Sequence, residues 1–143
     1  MSSEAAGSRI ARILRMTRVL LVEDSTDVLY VLQMELECFG YTVDALSDAP
    51  QALLMARRAK PDVIISDLGM PGMDGFEFIK CIREIPGLAS IPAIALTGAT
   101  LDEDVRQALA FGFTTHMTKP VEGAALDKRI QQLTARWAQL KAS

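Results

Sequence analysis

The chain has 143 residues, of which 50% are hydrophobic and 23% are charged, and its formal net charge at pH 7 is −3. This length and composition predict one soluble globular domain with a substantial apolar core. The small negative net charge argues against a protein that mainly binds nucleic acid. No apolar run approaches the roughly 20 residues that cross a bilayer, and the N-terminus lacks the apolar core of a signal peptide. We therefore expect no membrane span and a cytoplasmic location.

Residues 1–16 differ in composition from the rest of the chain, and we expect them to form a flexible N-terminal arm. Arginine recurs at every third position from Arg9 to Arg18, with apolar residues between. This pattern leaves open a second interpretation, a short basic amphipathic segment that contacts a partner or an anionic surface. The folded domain is predicted at residues 17–141.

The domain alternates short apolar runs with stretches of helical periodicity. Strands are predicted at residues 18–22, 41–45, 62–66, 92–96 and 114–117. Helices are predicted at about 27–39, after the N-cap residue Asp48, at 76–84, at 101–111 and up to about 140. The central apolar runs show no alternation, which indicates strands covered on both faces. Five strand–helix units with short connections predict an α/β fold with a parallel sheet wound on both faces.

The ends of these helices carry recognisable signals. Ser25 or Thr26 could cap the first helix, and glycines 40 and 112 follow the first and fourth helices. The last helix has a single apolar stripe, formed by Leu126, Ile130, Leu133, Trp137 and Leu140. The two cysteines, Cys38 and Cys81, have no metal-site spacing, and we expect both to be reduced thiols.

Polar groups follow four of the predicted strands at the point where each strand ends. Glu23 and Asp24 follow the first strand and Asp67 the third, while Thr97 and Lys119 follow the fourth and fifth. In a parallel sheet these ends share one edge, where ligands bind. Carboxylates suit Mg²⁺, and an ammonium group suits a phosphoryl oxygen. This inventory predicts a site that transfers a phosphoryl group to a carboxylate, with Asp67 as the nucleophile.

Four segments together resemble the receiver domain of two-component response regulators over residues 17–140. They are Glu23-Asp24, the run from Pro61 to Gly75 (PDVIISDLGMPGMDG), the run from Ala95 to Gly98 (ALTG) and Lys119-Pro120. The resemblance implies a flavodoxin-like fold, a doubly wound sheet of five parallel strands in the order 2-1-3-4-5 with five helices. It also implies an ability to switch between partners rather than an enzyme acting on a separate substrate.

The resemblance further implies a role for each site residue. Asp67 would accept the phosphoryl group from a histidine kinase or a histidine phosphotransfer protein. Asp24, Asp67 and the backbone carbonyl of Gly69 would bind Mg²⁺, with Glu23 assisting through a water molecule. Thr97 and Lys119 would bind the phosphoryl group. A downstream protein would bind the face formed by the fourth helix, fifth strand and fifth helix. We expect no direct contact with nucleic acid. The formation of a homodimer is an open alternative.

Two positions depart from the pattern of the family. His116 stands where a switching tyrosine or phenylalanine is usual, so its coupling to Thr97 is expected to be weaker or sensitive to pH. Gly69 replaces a side chain that often borders the acceptor, which predicts a short-lived phosphorylated state.

Three other interpretations of the sequence are open. The first is a degenerate receiver that binds proteins without phosphorylation. The second is a phosphatase with an aspartyl-phosphate intermediate, which would usually carry an acid at position 69. The third is a nucleotide-binding domain, although the chain lacks both G-x-G-x-x-G and G-x-x-x-x-G-K-[ST]. The intact acidic residues and Lys119 favour the phosphorylated receiver, whether free-standing, a phosphorelay shuttle or part of a longer protein.

Overall fold

The computed structural model describes residues 17–98 and 102–142, so the arm predicted at residues 1–16 lies outside it. Within these ranges the elements are β1 (Arg18–Val22), α1 (Thr26–Cys38), β2 (Thr42–Leu46), α2 (Ala49–Arg58), β3 (Val63–Asp67), α3 (Gly75–Arg83), β4 (Ala93–Thr97), α4 (Asp102–Phe111), β5 (Thr115–Thr118) and α5 (Gly123–Ala142). The strands form one parallel sheet in the order β2-β1-β3-β4-β5. The predicted α/β fold and strand order are therefore confirmed, with most strand boundaries within a residue of the prediction.

Apolar layers cover both faces of the sheet. Every residue of β3 and β4 is buried. Successive side chains of a strand point to opposite faces. Leu20 and Ile64 accordingly pack with α2 and α3 on one face, while Val19 and Ile65 pack with α1 and α5 on the other. This two-sided burial explains why the central strands are apolar without alternation.

The helix termini follow the sequence signals in part. Asp48 caps α2, because its carboxylate accepts a hydrogen bond from the backbone N–H of Gln51 at 2.8 Å. Ser25 is the N-cap residue of α1, but its side chain makes no capping hydrogen bond. Gly40 and Gly112 have φ angles of 100° and 132°, in the left-handed region that favours glycine.

The side chain of Arg83 joins three parts of the chain. From the last turn of α3 it donates hydrogen bonds to the carbonyl oxygens of Gly112 (2.7 and 3.0 Å), Leu88 (3.0 Å) and Ile91 (2.7 Å). Burial lowers the pKa of Arg83. Because all four contacts are to backbone oxygens, Arg83 holds the loop before β4 and the turn after α4 against α3.

The stripe of α5 faces the core as predicted at Leu126, Ile130 and Leu133, all of which are buried. The last two members of the stripe, Trp137 and Leu140, have side chains outside the described set. Both cysteines are free thiols, with Cys38 exposed and Cys81 half-buried. In the part of the chain that the structure describes, no helix has both the length and the hydropathy of a membrane span.

Candidate functional site

Three carboxylates meet at the carboxyl edge of the sheet. Glu23 and Asp24 follow β1 and Asp67 ends β3, and one oxygen atom from each of the three lies within 4.8 Å of the others. They meet because β1 and β3 are parallel neighbours with Val22 opposite Ser66. Glu23 and Asp67 are buried, whereas Asp24 is exposed. Such a set of oxygen donors suits Mg²⁺, which binds one or two carboxylates and keeps several water molecules.

Lys119 reaches into this acidic cluster from the end of β5. Its Nζ donates a hydrogen bond to Oδ2 of Asp67 at 2.8 Å and forms an ion pair with Oε2 of Glu23 at 2.9 Å. Burial alone would lower the pKa of Lys119, but the two carboxylates outweigh burial and raise it. The ammonium group therefore stays charged beside the acidic residues.

Glu23 is only 1% exposed. Burial raises the pKa of Glu23, and Lys119 and the backbone N–H of Ser25 oppose that rise by favouring the charged form. The N–H of Ser25 donates to Oε1 of Glu23 at 3.1 Å. Glu23 is thus a buried acid whose charge depends on its cationic neighbour.

The loop after Asp67 holds its carboxylate from the backbone. The N–H of Gly69 donates to Oδ1 of Asp67 at 3.2 Å, and the N–H of Gly75 donates to the carbonyl oxygen of Leu68 at 2.9 Å. A Cβ atom at Gly75 would lie 2.7 Å from Cα of Leu68 and would also overlap the carbonyl oxygen of Asp67. Gly75 therefore lets α3 begin directly against the end of β3, with Asp74 as its cap.

An open cleft of about 240 Å³ borders Leu68 and Gly69, the two residues that follow Asp67. Its lining includes Gly69, Gly98 and Thr97, and a Cβ atom on either glycine would have no described residue within 4 Å. Thr97 is 3% exposed, yet among the described residues its hydroxyl has no hydrogen-bond partner. A buried hydroxyl that lacks a partner beside an open cleft is suited to bind an incoming oxygen atom.

The remaining predicted residues occupy the β5 side of the site. Lys119-Pro120 is a cis peptide bond, and the N–H of Lys119 donates to the carbonyl oxygen of Thr97 at 2.7 Å. His116 lies in the middle of β5, is half-buried and pairs in register with Ala95. It lines a surface cleft between β5 and α5, and the described contacts of the acidic cluster do not include it.

An apolar surface next to Lys119 was not predicted from the sequence. Val28 and Val31 of α1, which are 41% and 47% exposed, line a cleft of about 520 Å³ together with Pro120 and Val121. Met34, one turn beyond Val31, is also 47% exposed. The available signal was the presence of apolar residues around the whole circumference of α1, beyond those that its core-facing stripe requires.

Comparison with known proteins identifies the family. The family model of the response regulator receiver domain matches residues 19–131. An uncharacterized 14.6 kDa protein from the sodA1 3′ region of Leptolyngbya boryana is 40% identical over 114 residues, which cover 80% of this chain and 87% of that protein. Response regulator PleD of Caulobacter vibrioides is 35% identical over 117 residues, which cover 82% of this chain but only 26% of PleD.

Solved structures agree with this assignment. The chemotaxis response regulator CheY4 of Vibrio cholerae is 36% identical with a TM-score of 0.78, and the match covers 82% of this chain and 98% of CheY4. The receiver domain of sensor histidine kinase PA1611 from Pseudomonas aeruginosa, with a magnesium ion coordinated in its active site cleft, is 31% identical with a TM-score of 0.77 and covers 83% and 98% of the two chains. The family model, the fold and the sequence identities together show that this chain belongs to the response regulator receiver domain family.

Proposed function

We propose that Asp67 accepts a phosphoryl group from a phosphohistidine, in a Mg²⁺-dependent reaction, and that the phosphorylated chain then changes its partner. The donor would be a histidine kinase or a histidine phosphotransfer protein. The observation that carries this proposal is the position of Lys119, whose ammonium group bridges Asp67 and Glu23, while the buried hydroxyl of Thr97 has no hydrogen-bond partner in the part of the chain that the structure describes. The site thus places a nucleophile in contact with a cation, with a hydroxyl donor at the end of the neighbouring strand β4.

The residues around Asp67 suit the binding of a magnesium ion. Asp24, Asp67 and the backbone carbonyl of Gly69 would hold Mg²⁺, and Glu23 would assist through a water molecule. Mg²⁺, when bound, neutralises charge on the carboxylate and on the phosphoryl oxygens. Asp24 is the exposed member of the cluster and hence the first carboxylate that an entering ion meets.

In the transfer step a carboxylate oxygen of Asp67 forms a bond to phosphorus while the phosphorus–nitrogen bond to the donor histidine breaks. The imidazole keeps the electron pair of the broken bond and takes up a proton, so the products are an acyl phosphate and a neutral histidine. Lys119 exchanges its contact with Asp67 for one with a phosphoryl oxygen. The hydroxyl of Thr97 donates to another phosphoryl oxygen. The chain catalyses this transfer only to its own aspartate.

We assign donor binding to the apolar surface of α1 beside Lys119. Val28 and Val31 border the same cleft as Lys119 and Pro120, so a helix lying on α1 would bring its histidine close to Asp67. Exposed apolar side chains that adjoin a reactive site are typical of an interaction surface. Residues 17–141 would form the receiver unit of a cytoplasmic signalling protein.

We assign the output to the face formed by α4, β5 and α5. His116 lies on this face, and Thr115 next to it accepts a hydrogen bond from Arg129 of α5 at 3.2 Å. Movement of Thr97 toward the phosphoryl group would free space for His116 to turn inward, which changes the surface offered to a partner or to a second copy of the chain.

The deciding experiment is the intact mass of the protein after incubation with acetyl phosphate and Mg²⁺. We expect one phosphoryl group on the parent, none without the metal ion and none on Asp67→Asn. Asp62→Asn is the matched control, because Asp62 precedes the opposite end of β3 and accepts a hydrogen bond from the N–H of Arg18 at 2.7 Å. An adduct on Asp67→Asn would refute the assignment of the acceptor. No adduct on the parent after rapid quenching would favour a receiver that works without phosphorylation.

A further inference from the structure

The segment that joins β5 to α5, residues 119–123, is held at both of its ends. At its start the N–H of Lys119 donates to the carbonyl oxygen of Thr97 on β4 at 2.7 Å. At its end the N–H of Gly123 donates to the carboxylate of Glu35 on α1. Between these ends Val121 is partly buried against the core on this face of the sheet. The backbone that carries Lys119 is therefore fixed by two different layers of the fold.

Glu35 and Gly123 fit closely. A Cβ atom at position 123 would overlap both Oε2 and Cβ of Glu35, so α1 and α5 come together here because residue 123 has no side chain. The N–H of Gly123 belongs to the first turn of α5, where backbone donors lack partners within the helix. A carboxylate at the positive end of a helix is also favourable electrostatically. Glu35 thus caps α5 from a neighbouring helix.

A second polar contact ties α5 to the same side of the protein. The hydroxyl of Tyr41, just before β2, donates to Oδ1 of Asp127 at 2.6 Å. Asp127 lies one turn beyond Gly123 in α5, outside the segment 119–123. Tyr41 and Glu35 therefore both fasten α5, but only Glu35 does so through the segment that carries Lys119.

We propose that Glu35 is a positioning residue for phosphoryl binding. By holding the N–H of Gly123, Glu35 fixes the end of the segment 119–123 and keeps Nζ of Lys119 directed between Glu23 and Asp67. Glu35 acts on the site through the backbone of this segment. The inference rests on the proposed function, because it concerns the residue that would bind the phosphoryl group.

The test compares Glu35→Ala, Glu35→Gln and Tyr41→Phe in the full chain. The first measurement is hydrogen exchange of the backbone amides of residues 119 and 121–123, since Pro120 has no N–H. The second is the affinity for beryllofluoride with Mg²⁺, a stand-in for the phosphoryl group, followed by ¹⁹F NMR. We expect Glu35→Ala to exchange faster in this segment and to bind beryllofluoride about fivefold more weakly. That factor corresponds to about 1 kcal/mol, the usual cost of a lost helix cap.

The two other variants separate positioning from general stability. Glutamine can still accept the hydrogen bond of Gly123, so Glu35→Gln should keep most of the affinity. Tyr41→Phe removes the hydrogen bond to Asp127 of α5 and should lose stability while binding beryllofluoride as the parent does. Unchanged affinity in Glu35→Ala, or an equal loss in Tyr41→Phe, would overturn the proposal.

Failure of the proposed function gives a different result. If the parent itself does not bind beryllofluoride, the phosphoryl-binding role is wrong. In that case the hydrogen-exchange measurement by itself still tests whether Glu35 fixes the segment 119–123. Faster exchange confined to residues 119–123 in Glu35→Ala would retain Glu35 as the residue that fixes this segment, and exchange equal to that of the parent would refute it.

Discussion

Replacing Lys119 with methionine tests the electrostatics of the site most directly. In the parent, Nζ of Lys119 lies 2.8 Å from Asp67 and 2.9 Å from Glu23. Methionine keeps the apolar length of the side chain but leaves two buried carboxylates without their cation. We therefore expect Lys119→Met to be less stable than the parent when no divalent ion is present, and to recover part of that loss when Mg²⁺ is added.

The size of the effect follows from burial. Removing one partner of a fully buried ion pair costs about 3–5 kcal/mol. The Lys119 side chain is 29% exposed, so solvent screens part of the interaction. Burial already raises the pKa of Glu23, so this acid can take up a proton once the ammonium group is gone. Both factors reduce the expected loss in the free energy of unfolding to about 2 kcal/mol.

Urea unfolding followed by circular dichroism, in EDTA and in millimolar Mg²⁺, measures this loss. Lys80→Met is the matched control, because Lys80 is an exposed residue of α3 and its loss should change stability by less than about 0.5 kcal/mol. Lys119→Met should gain more from Mg²⁺ than the parent does. Equal stability of Lys119→Met and the parent in EDTA would refute the view that this ammonium group holds the acidic cluster together.

Three further predictions concern other parts of the fold. Arg83→Met should lower the free energy of unfolding by about 3 kcal/mol, because three part-buried carbonyl oxygens lose their donor; near-parental stability in urea would contradict this. Gly69→Met should lengthen the lifetime of the phosphorylated state severalfold, since its side chain fills open space beside Asp67 and excludes water, and equal dephosphorylation rates would argue against that reasoning. Burial and the hydrogen bond to Asp127 raise the pKa of Tyr41, and the carboxylates raise that of Lys119. The folded state therefore holds both protons more tightly than the unfolded chain, so stability should fall as the pH rises above about 10. In Tyr41→Phe the stability should fall less steeply with pH. A pH dependence as steep as that of the parent would contradict the contribution of Tyr41.

The sequence predicted the strands and the edge where the polar residues meet, because apolar runs ending in acids mark the carboxyl ends of buried parallel strands. Periodicity carries no information on strand order, which came from the resemblance to receiver domains. The exposed apolar side chains of α1 were missed, although apolar residues around its whole circumference were an available signal. Two features were not predictable from such patterns: the hydrogen bonds of Arg83 and the contact between Glu35 and Gly123. Each depends on which distant segments the topology brings together, and a pattern along one helix does not record that.

The bounds of β3 differ by one residue between prediction and structure, and this difference matters at the site. Asp67 was predicted to follow its strand, whereas it is the last residue of β3. The difference arises because backbone pairing continues for one more residue, with Asp67 opposite Leu96 of β4. The same pairing holds the backbone of Asp67 in place, so its carboxylate is carried by a paired strand residue and not by a loop residue.

The strand order has a consequence for synthesis on the ribosome. β1 lies between β2 and β3. Its partner β2 emerges from the ribosome early, whereas the edge of β1 that pairs with β3 stays uncovered until residues 63–67 have been made. That edge carries Val19 to Val22, which are all fully buried in the finished protein. An apolar strand with unpaired backbone groups is a template for pairing with other chains. The nascent protein is therefore most prone to aggregation before β3 docks, and substitutions that delay docking of β3 will reduce yield in cells more than they reduce the stability of the purified protein.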